Sequence, residues 1–161
     1  MRSAFYYDAS TAEGAQNQAN VALVANRLYA VPVFVEQDTP IDTLAINVAS
    51  GTGNLRFGVY YPTSSGLPGA LLSEAGTVAV TAAFKTVSAS ITLPAGYSFL
   101  ALESDSTPTV AHFQAAVAIF GTDGASVLGG CYVAHTYGTL PSDFGSPTFQ
   151  TVAPRIMFRV A

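Results

Sequence analysis

Two histidines, a single cysteine and a close pair of carboxylates are the residues of this chain best suited to chemistry. Cys131 and His135 lie four apart. A helix would set them on one face, whereas a strand separates them by about 13 Å, too far for a thiolate–imidazole pair. The stretch Cys131 to Tyr137 reads as a strand, so Cys131 is expected as a small buried side chain and His135 as a polar strand residue. His112, between Ala111 and Phe113, reads as a hydrogen-bonded sheet residue. Glu103 and Asp105 could share a face, and paired carboxylates can exchange protons or hold Ca²⁺. Calcium needs about six to eight oxygens. Only Ser104, Ser106, Thr107 and backbone add to the pair nearby, so a solvated strand end is the simpler reading. Asp123-Gly124 reads as a turn. The chain carries no G-x-S-x-G elbow, H-E-x-x-H, P-loop, G-x-G-x-x-G or C-x-x-C. The expectation is therefore no enzyme, with no catalytic, cofactor-binding or metal residues and no cofactor. Sugar-binding sandwiches usually offer a flat aromatic platform. There is no Trp here, and of Tyr60, Tyr61, Tyr132 and Tyr137 alternation sends several to the core.

The elements that must carry these residues are short strands between dense turn signals. Arg27 to Glu36 is β-branched and aromatic, and Pro32 inside it marks an edge or a bulge. In Ile41 to Ala49, Leu44, Ile46 and Val48 face one way while Thr43, Ala45 and Asn47 face the other. Leu55, Phe57, Val59 and Tyr61 repeat the pattern, as do Val87, Ala89, Ile91 and Leu93. Pro62 to Gly69 is a loop, because Pro fixes φ and Gly supplies φ > 0. Pro94-Ala95-Gly96 reads as the tight turn of a hairpin that returns through Tyr97 to Ser104. Thr109 to Phe113, Ala115 to Phe120, Cys131 to Tyr137 and Arg155 to Val160 are further strands. The sum is an all-β chain, an antiparallel β-sandwich or jelly roll of about 8–9 strands. Residues 1–25 are expected as an N-terminal arm or short helix, and 26–161 as the jelly-roll domain. Ser10-Thr-Ala-Glu13 fits a capping box, although Val21, Leu23 and Ala25 could equally start a strand. The core should include Leu44, Ile46, Val48, Leu55, Phe57, Val59, Ile91, Leu93, Phe99 and Phe158.

Composition narrows the class. Hydrophobic residues make up 50% and charged residues 10% of 161, which excludes a disordered chain and suggests one domain. A net charge of −4, with five scattered Arg and one Lys, argues against nucleic-acid binding. The longest apolar run, Ala115 to Phe120, is too short to span a membrane, and the N-terminus lacks a signal-peptide apolar region. A lone Cys131 cannot form an intrachain disulfide, in keeping with synthesis in a reducing cytoplasm. No charge lies between Asp105 and Asp123, or between Asp123 and Asp143. Edge strands are normally guarded by charges, especially Lys. A β-rich surface so poorly guarded points to an oligomer or a lattice component. Phe5, Tyr6 and Tyr7 would expose apolar surface in a free tail and are expected at a subunit contact. Arg155 and Arg159 share one face of the last strand and are candidate interface residues, since the planar guanidinium can meet carboxylates bidentately.

Several runs resemble a known family. They are Asn26 to Val35, Ile41 to Val48, Arg56 to Tyr61, Gly66-Leu-Pro-Gly-Ala-Leu-Leu72, Leu93-Pro-Ala-Gly-Tyr97 with Phe99-Leu-Ala-Leu102, and Ala153 to Val160. The pattern, over roughly residues 20–161, resembles the jelly-roll virion proteins of tailed bacteriophages, found in head decoration (cement) proteins, head fibres and tail fibres. The resemblance brings no catalytic residues. It implies a jelly-roll-like sandwich, often trimeric. The chain ends with the module and shows no fibrous stalk, which favours a compact decoration subunit. The expectation is a cement protein, made in the host bacterial cytoplasm and carried on the outer capsid surface. Its partners would be further copies of itself (a homotrimer) and the major capsid protein of the shell, with no nucleic acid and no membrane. The alternative is a tail-fibre or host-attachment module that binds cell-surface glycans.

Overall fold

The computed structural model describes residues 1, 3–8, 18–113 and 129–161. The expected strand Ala115 to Phe120, the capping box at Ser10 and the Asp123-Gly124 turn lie outside the described residues. Thirteen strands and no helix occur among the described residues, against the 8–9 strands expected. In chain order the first seven are β1 Tyr6–Asp8, β2 Gln18–Ala22, β3 Arg27–Val35, β4 Thr39–Ser50, β5 Asn54–Pro62, β6 Pro68–Ala79 and β7 Ala83–Leu93. The rest are β8 Gly96–Ser104, β9 Thr109–Phe113, β10 Gly130–Ala134, β11 Thr148–Gln150, β12 Ala153–Pro154 and β13 Met157–Val160.

The strands form two antiparallel sheets, and the fold is an antiparallel β-sandwich. The first sheet runs β1-β13-β4-β9-β12, with β2 added on β9 and β7 on β4. The second runs β11-β10-β3-β8-β5-β6. All ten expected core residues are buried. Nine lie between the sheets, where Leu44, Ile46 and Val48 of β4 meet Leu55, Phe57 and Val59 of β5. The alternation along β4, β5 and β7 thus fixes which side faces the partner sheet.

Three expectations need correction. Pro94-Ala95 does not close a hairpin: β7 pairs with β4 in the first sheet, and β8 pairs with β3 and β5 in the second. The turn is an arch between sheets. It lies beside the β3–β4 connection, and Ala95 donates its N–H to Asp38 Oδ1 at 2.9 Å. Second, β3 is central, not an edge strand. Its pairing with β10 ends at Ala30, so Pro32 sits beyond the last β10 partner and opposite Phe99 of β8. Its missing N–H therefore breaks no β10 ladder bond. Third, where described, residues 1–25 form strands rather than an arm or short helix, in line with the strand start offered at Val21. β1 pairs with β13, β2 pairs with β9, and Leu23 belongs to the core.

The second sheet is covered on its outer face as well. The chain after β10, residues 135–147, crosses that face as a strap. Leu140 and Phe144 of the strap pack on Leu28, Ala30, Tyr60, Phe99, Ala101 and Cys131. Phe99, the tenth expected core residue, is buried here and not between the sheets. Burial on both faces explains the near-continuous apolar runs of β3 and β8. Backbone bonds fasten the strap to β6: Leu71 N–H reaches Ser142 O and Phe144 N–H reaches Gly69 O, each at 2.9 Å.

Candidate functional site

Polar groups converge where the strap begins. Glu103, at the end of β8, has no exposed side-chain surface. It is therefore no solvated strand end, and it parts company with Asp105, which turns out to Asn54. A buried carboxylate is costly unless its oxygens are bonded. One oxygen accepts the N–H of Gly138 at 3.1 Å, and the other lies 2.7 Å from His135 Nδ1. A carboxylate can only accept, so Nδ1 carries the hydrogen and the ring is held in one orientation. Arg56 of β5 places Nε 3.7 Å from Glu103, and the same guanidinium pairs with Glu74 of β6. Glu74 in turn accepts the N–H of Leu140 at 3.0 Å. Two acids, one arginine and one histidine thus tie the strap to three neighbouring strands. Tyr60 adds a bond to Pro141 O at 3.0 Å, and burial raises its phenol well above the usual value.

His135 leads from this network into a cleft of about 360 Å³ between the end of β10 and the strap. Pro141, Asp143, Phe144, Ser146 and Thr148 also line it. Asp143 Oδ1 accepts the Gly145 N–H at 2.8 Å, which sets the carboxylate in place.

The other residues singled out from sequence lie apart from this cluster. Cys131 is buried under the strap with Sγ 3.8 Å from Ala30 O, and burial pushes its thiol up to about 12. It makes no pair with His135. His112 is buried on β9. Among the described residues, no group of three His, Cys, Asp or Glu could hold a metal ion, and no helix is long and apolar enough to cross a membrane. Of the four tyrosines weighed as a platform, Tyr60 is buried and Tyr132 lies under the Arg27 guanidinium, 4.2 Å from its ring centroid. Tyr137 stands beside Arg56 and Tyr61 is partly exposed.

The candidate interface residues gather at the edge of the first sheet. Tyr7 turns inward onto Phe158, Tyr6 meets Phe84 edge to face at 5.0 Å, and Phe5 stays exposed. Arg155 lies between β12 and β13, not on a common strand with Arg159. Both meet carboxylates of their own chain. Arg155 Nε donates to Asp8 at 2.6 Å, and Arg159 grips Asp42 through two bonds at 2.8 and 2.9 Å. These two bonds hold the Asp42 carboxyl below the usual range and raise Arg159. The pairs fasten β1 and β4 to the last strand region.

Sequence reasoning missed Arg56, Glu74 and Asp143, and it missed the exposed cross-strand pair Phe34–Tyr97, whose rings meet edge to face at 5.1 Å. Their position two residues from Pro32 and Phe99, on the same face, was the available signal.

No protein-family model and no curated protein matches the chain. Among solved structures, the cysteine protease and lectin-like domains of Cwp84, a surface layer associated protein of Clostridium difficile, are similar, with a TM-score of 0.52 at 12% identity. The match covers 88% of this chain and 36% of that one, so this chain spans about a third of that length. At such identity the likeness concerns the fold alone.

Proposed function

We propose that this chain is a non-enzymatic structural protein of a tailed-bacteriophage virion, a capsid decoration (cement) subunit that binds the outer head surface and stabilises the shell. Self-association, with a trimer as first choice, and contact with the major capsid protein belong to the same proposal. The supporting observation is how the surface divides charge from apolar area. Each of the four described arginines lies against a carboxylate or an aromatic ring of its own chain. Meanwhile Phe5, Phe34, Phe84 and Tyr97 are 46–58% exposed. Charges spent internally and rings left outside suit burial against partners, since interface cores are enriched in aromatics and depleted in charge. Mechanical work needs no reacting group: contacts that bridge capsomers resist the pressure of packaged DNA. The test uses heads that lack the chain. Adding the purified protein should raise the temperature at which they release DNA. Binding to tails only, or to neither part, would refute the proposal.

A tail-fibre or host-attachment module acting on cell-surface glycans is a second reading, favoured by the cleft beside His135.

A further inference from the structure

We propose that the cleft between β10 and the strap binds a neutral polyhydroxylated ligand, a saccharide, with Asp143 and His135 as its principal hydrogen-bonding residues. The inference deepens the glycan-attachment reading, on which its biological use rests; the site itself is independent of where the protein sits on a particle. Three observations carry it.

Both residues are held in place before any ligand arrives. His135 is fixed through Nδ1 by the buried Glu103, which leaves Nε2 for another partner. Asp143 is fixed through Oδ1 by Gly145 N–H and by its backbone bridge to Ala70, which leaves Oδ2 open among the described residues. Prior ordering lowers the entropy cost of binding.

The lining also matches hydroxyl chemistry. A carboxylate oxygen accepts, an imidazole nitrogen and the Ser146 and Thr148 hydroxyls add further hydrogen-bonding groups, and Pro141, half-buried above the buried Phe144, supplies apolar surface for C–H groups. A volume of about 360 Å³ admits one sugar ring, at the small end of the usual ligand range of about 300–1,000 Å³.

Anions are disfavoured. No lysine or arginine lines the cleft, and the Arg56 guanidinium is already hydrogen-bonded to Glu74 and lies 3.7 Å from the Glu103 carboxylate.

The test is a titration of the ¹⁵N-labelled full chain with the methyl pyranosides of glucose, galactose, mannose and N-acetylglucosamine. Each is raised to about 20 mM, above the millimolar dissociation constants that a few hydrogen bonds give. At least one should shift the amides of His135 and of residues 143–148. Asp143→Asn keeps an acceptor for Gly145 and hence the turn, and should weaken that sugar at least ~tenfold. Ser146→Ala, at an exposed position, should weaken it less. No shift with any of the four sugars overturns the site. Shifts that both variants leave unchanged place the sugar elsewhere, which overturns this site while the glycan reading stands. Methylammonium or inorganic phosphate binding at these amides in place of sugar overturns the ligand class.

Discussion

Gly58 shows how one residue makes room for the strap. A Cβ there would fall 2.3 Å from Leu140 Cδ1 and 3.1 Å from Ser73 O, so a side chain at this position forces the Leu140 methyl to move within the packed strap. Gly58→Ala should cost about 1–3 kcal/mol through this overpacking, read as a lower urea midpoint at unchanged slope. Adding Leu140→Ala should return part of the loss; a double variant no better than the single one would mean the strain lies elsewhere. Glu103 is the second such residue. Glu103→Ala strips the acceptor from His135 and Gly138 and leaves Arg56 with Glu74 as its one carboxylate, a loss on the order of 3 kcal/mol for a broken buried pair. Acid dependence follows from Asp42, held below its usual 3.8 by Arg159, and from Asp105, held down by the Asn54 side chain. A carboxyl with a depressed folded value contributes stability that is complete above its unfolded value and fades as pH falls through the folded one. Stability should therefore drop below about pH 4. Asp42→Asn should lower stability at neutral pH and flatten that drop, and a variant with the wild-type acid slope would show that Asp42 does not contribute.

At the level of elements, the strands differ in how plainly they announce themselves. Apolar residues recur at every second position from Leu44 in β4, Leu55 in β5 and Val87 in β7, so the inward sides of these strands are legible in the sequence. Phe57→Ala on β5 should cost about 3–5 kcal/mol as a buried ring, and a loss below about 1 kcal/mol would contradict its place in the core. β6 was not legible, because Ala-Leu-Leu-Ser-Glu-Ala-Gly lacks β-branched residues and its pairing with β5 shifts register three times. The arch at Pro94-Ala95 was misread because two alternating runs around a turn look alike whether the strands pair or part. The Asp38 bond that marks the arch joins positions 57 apart in sequence. The strap was invisible for a related reason. Its Thr139-Leu-Pro-Ser-Asp-Phe-Gly-Ser-Pro147 reads as loop, and the burial of Glu103 depends on residues that follow it by more than thirty positions. Removing residues 1–8 deletes β1 and frees Arg155 from Asp8. The sandwich should stay folded, with a loss of about 2 kcal/mol from uncovering apolar area around Phe158. Loss of the cooperative melt would show that β1 belongs to the minimal fold.

For the whole molecule, the proposal of an assembly subunit joins a charge-poor surface to the aromatic rings it leaves exposed. The N-terminal aromatics fit it only in part: Tyr7 is spent within its own subunit, whereas Phe5 and the Tyr6–Phe84 pair stay on the outside. The exposed Phe34–Tyr97 pair lies on the opposite sheet, so a single subunit offers apolar contacts on two faces, as a lattice component requires. Copy number in purified particles measures this most directly, by quantitative mass spectrometry of intact virions with the major capsid protein as internal standard. Hundreds of copies per particle, all retained on heads separated from tails, are expected of a decoration subunit. A handful of copies that travel with the tail, or none, would contradict it.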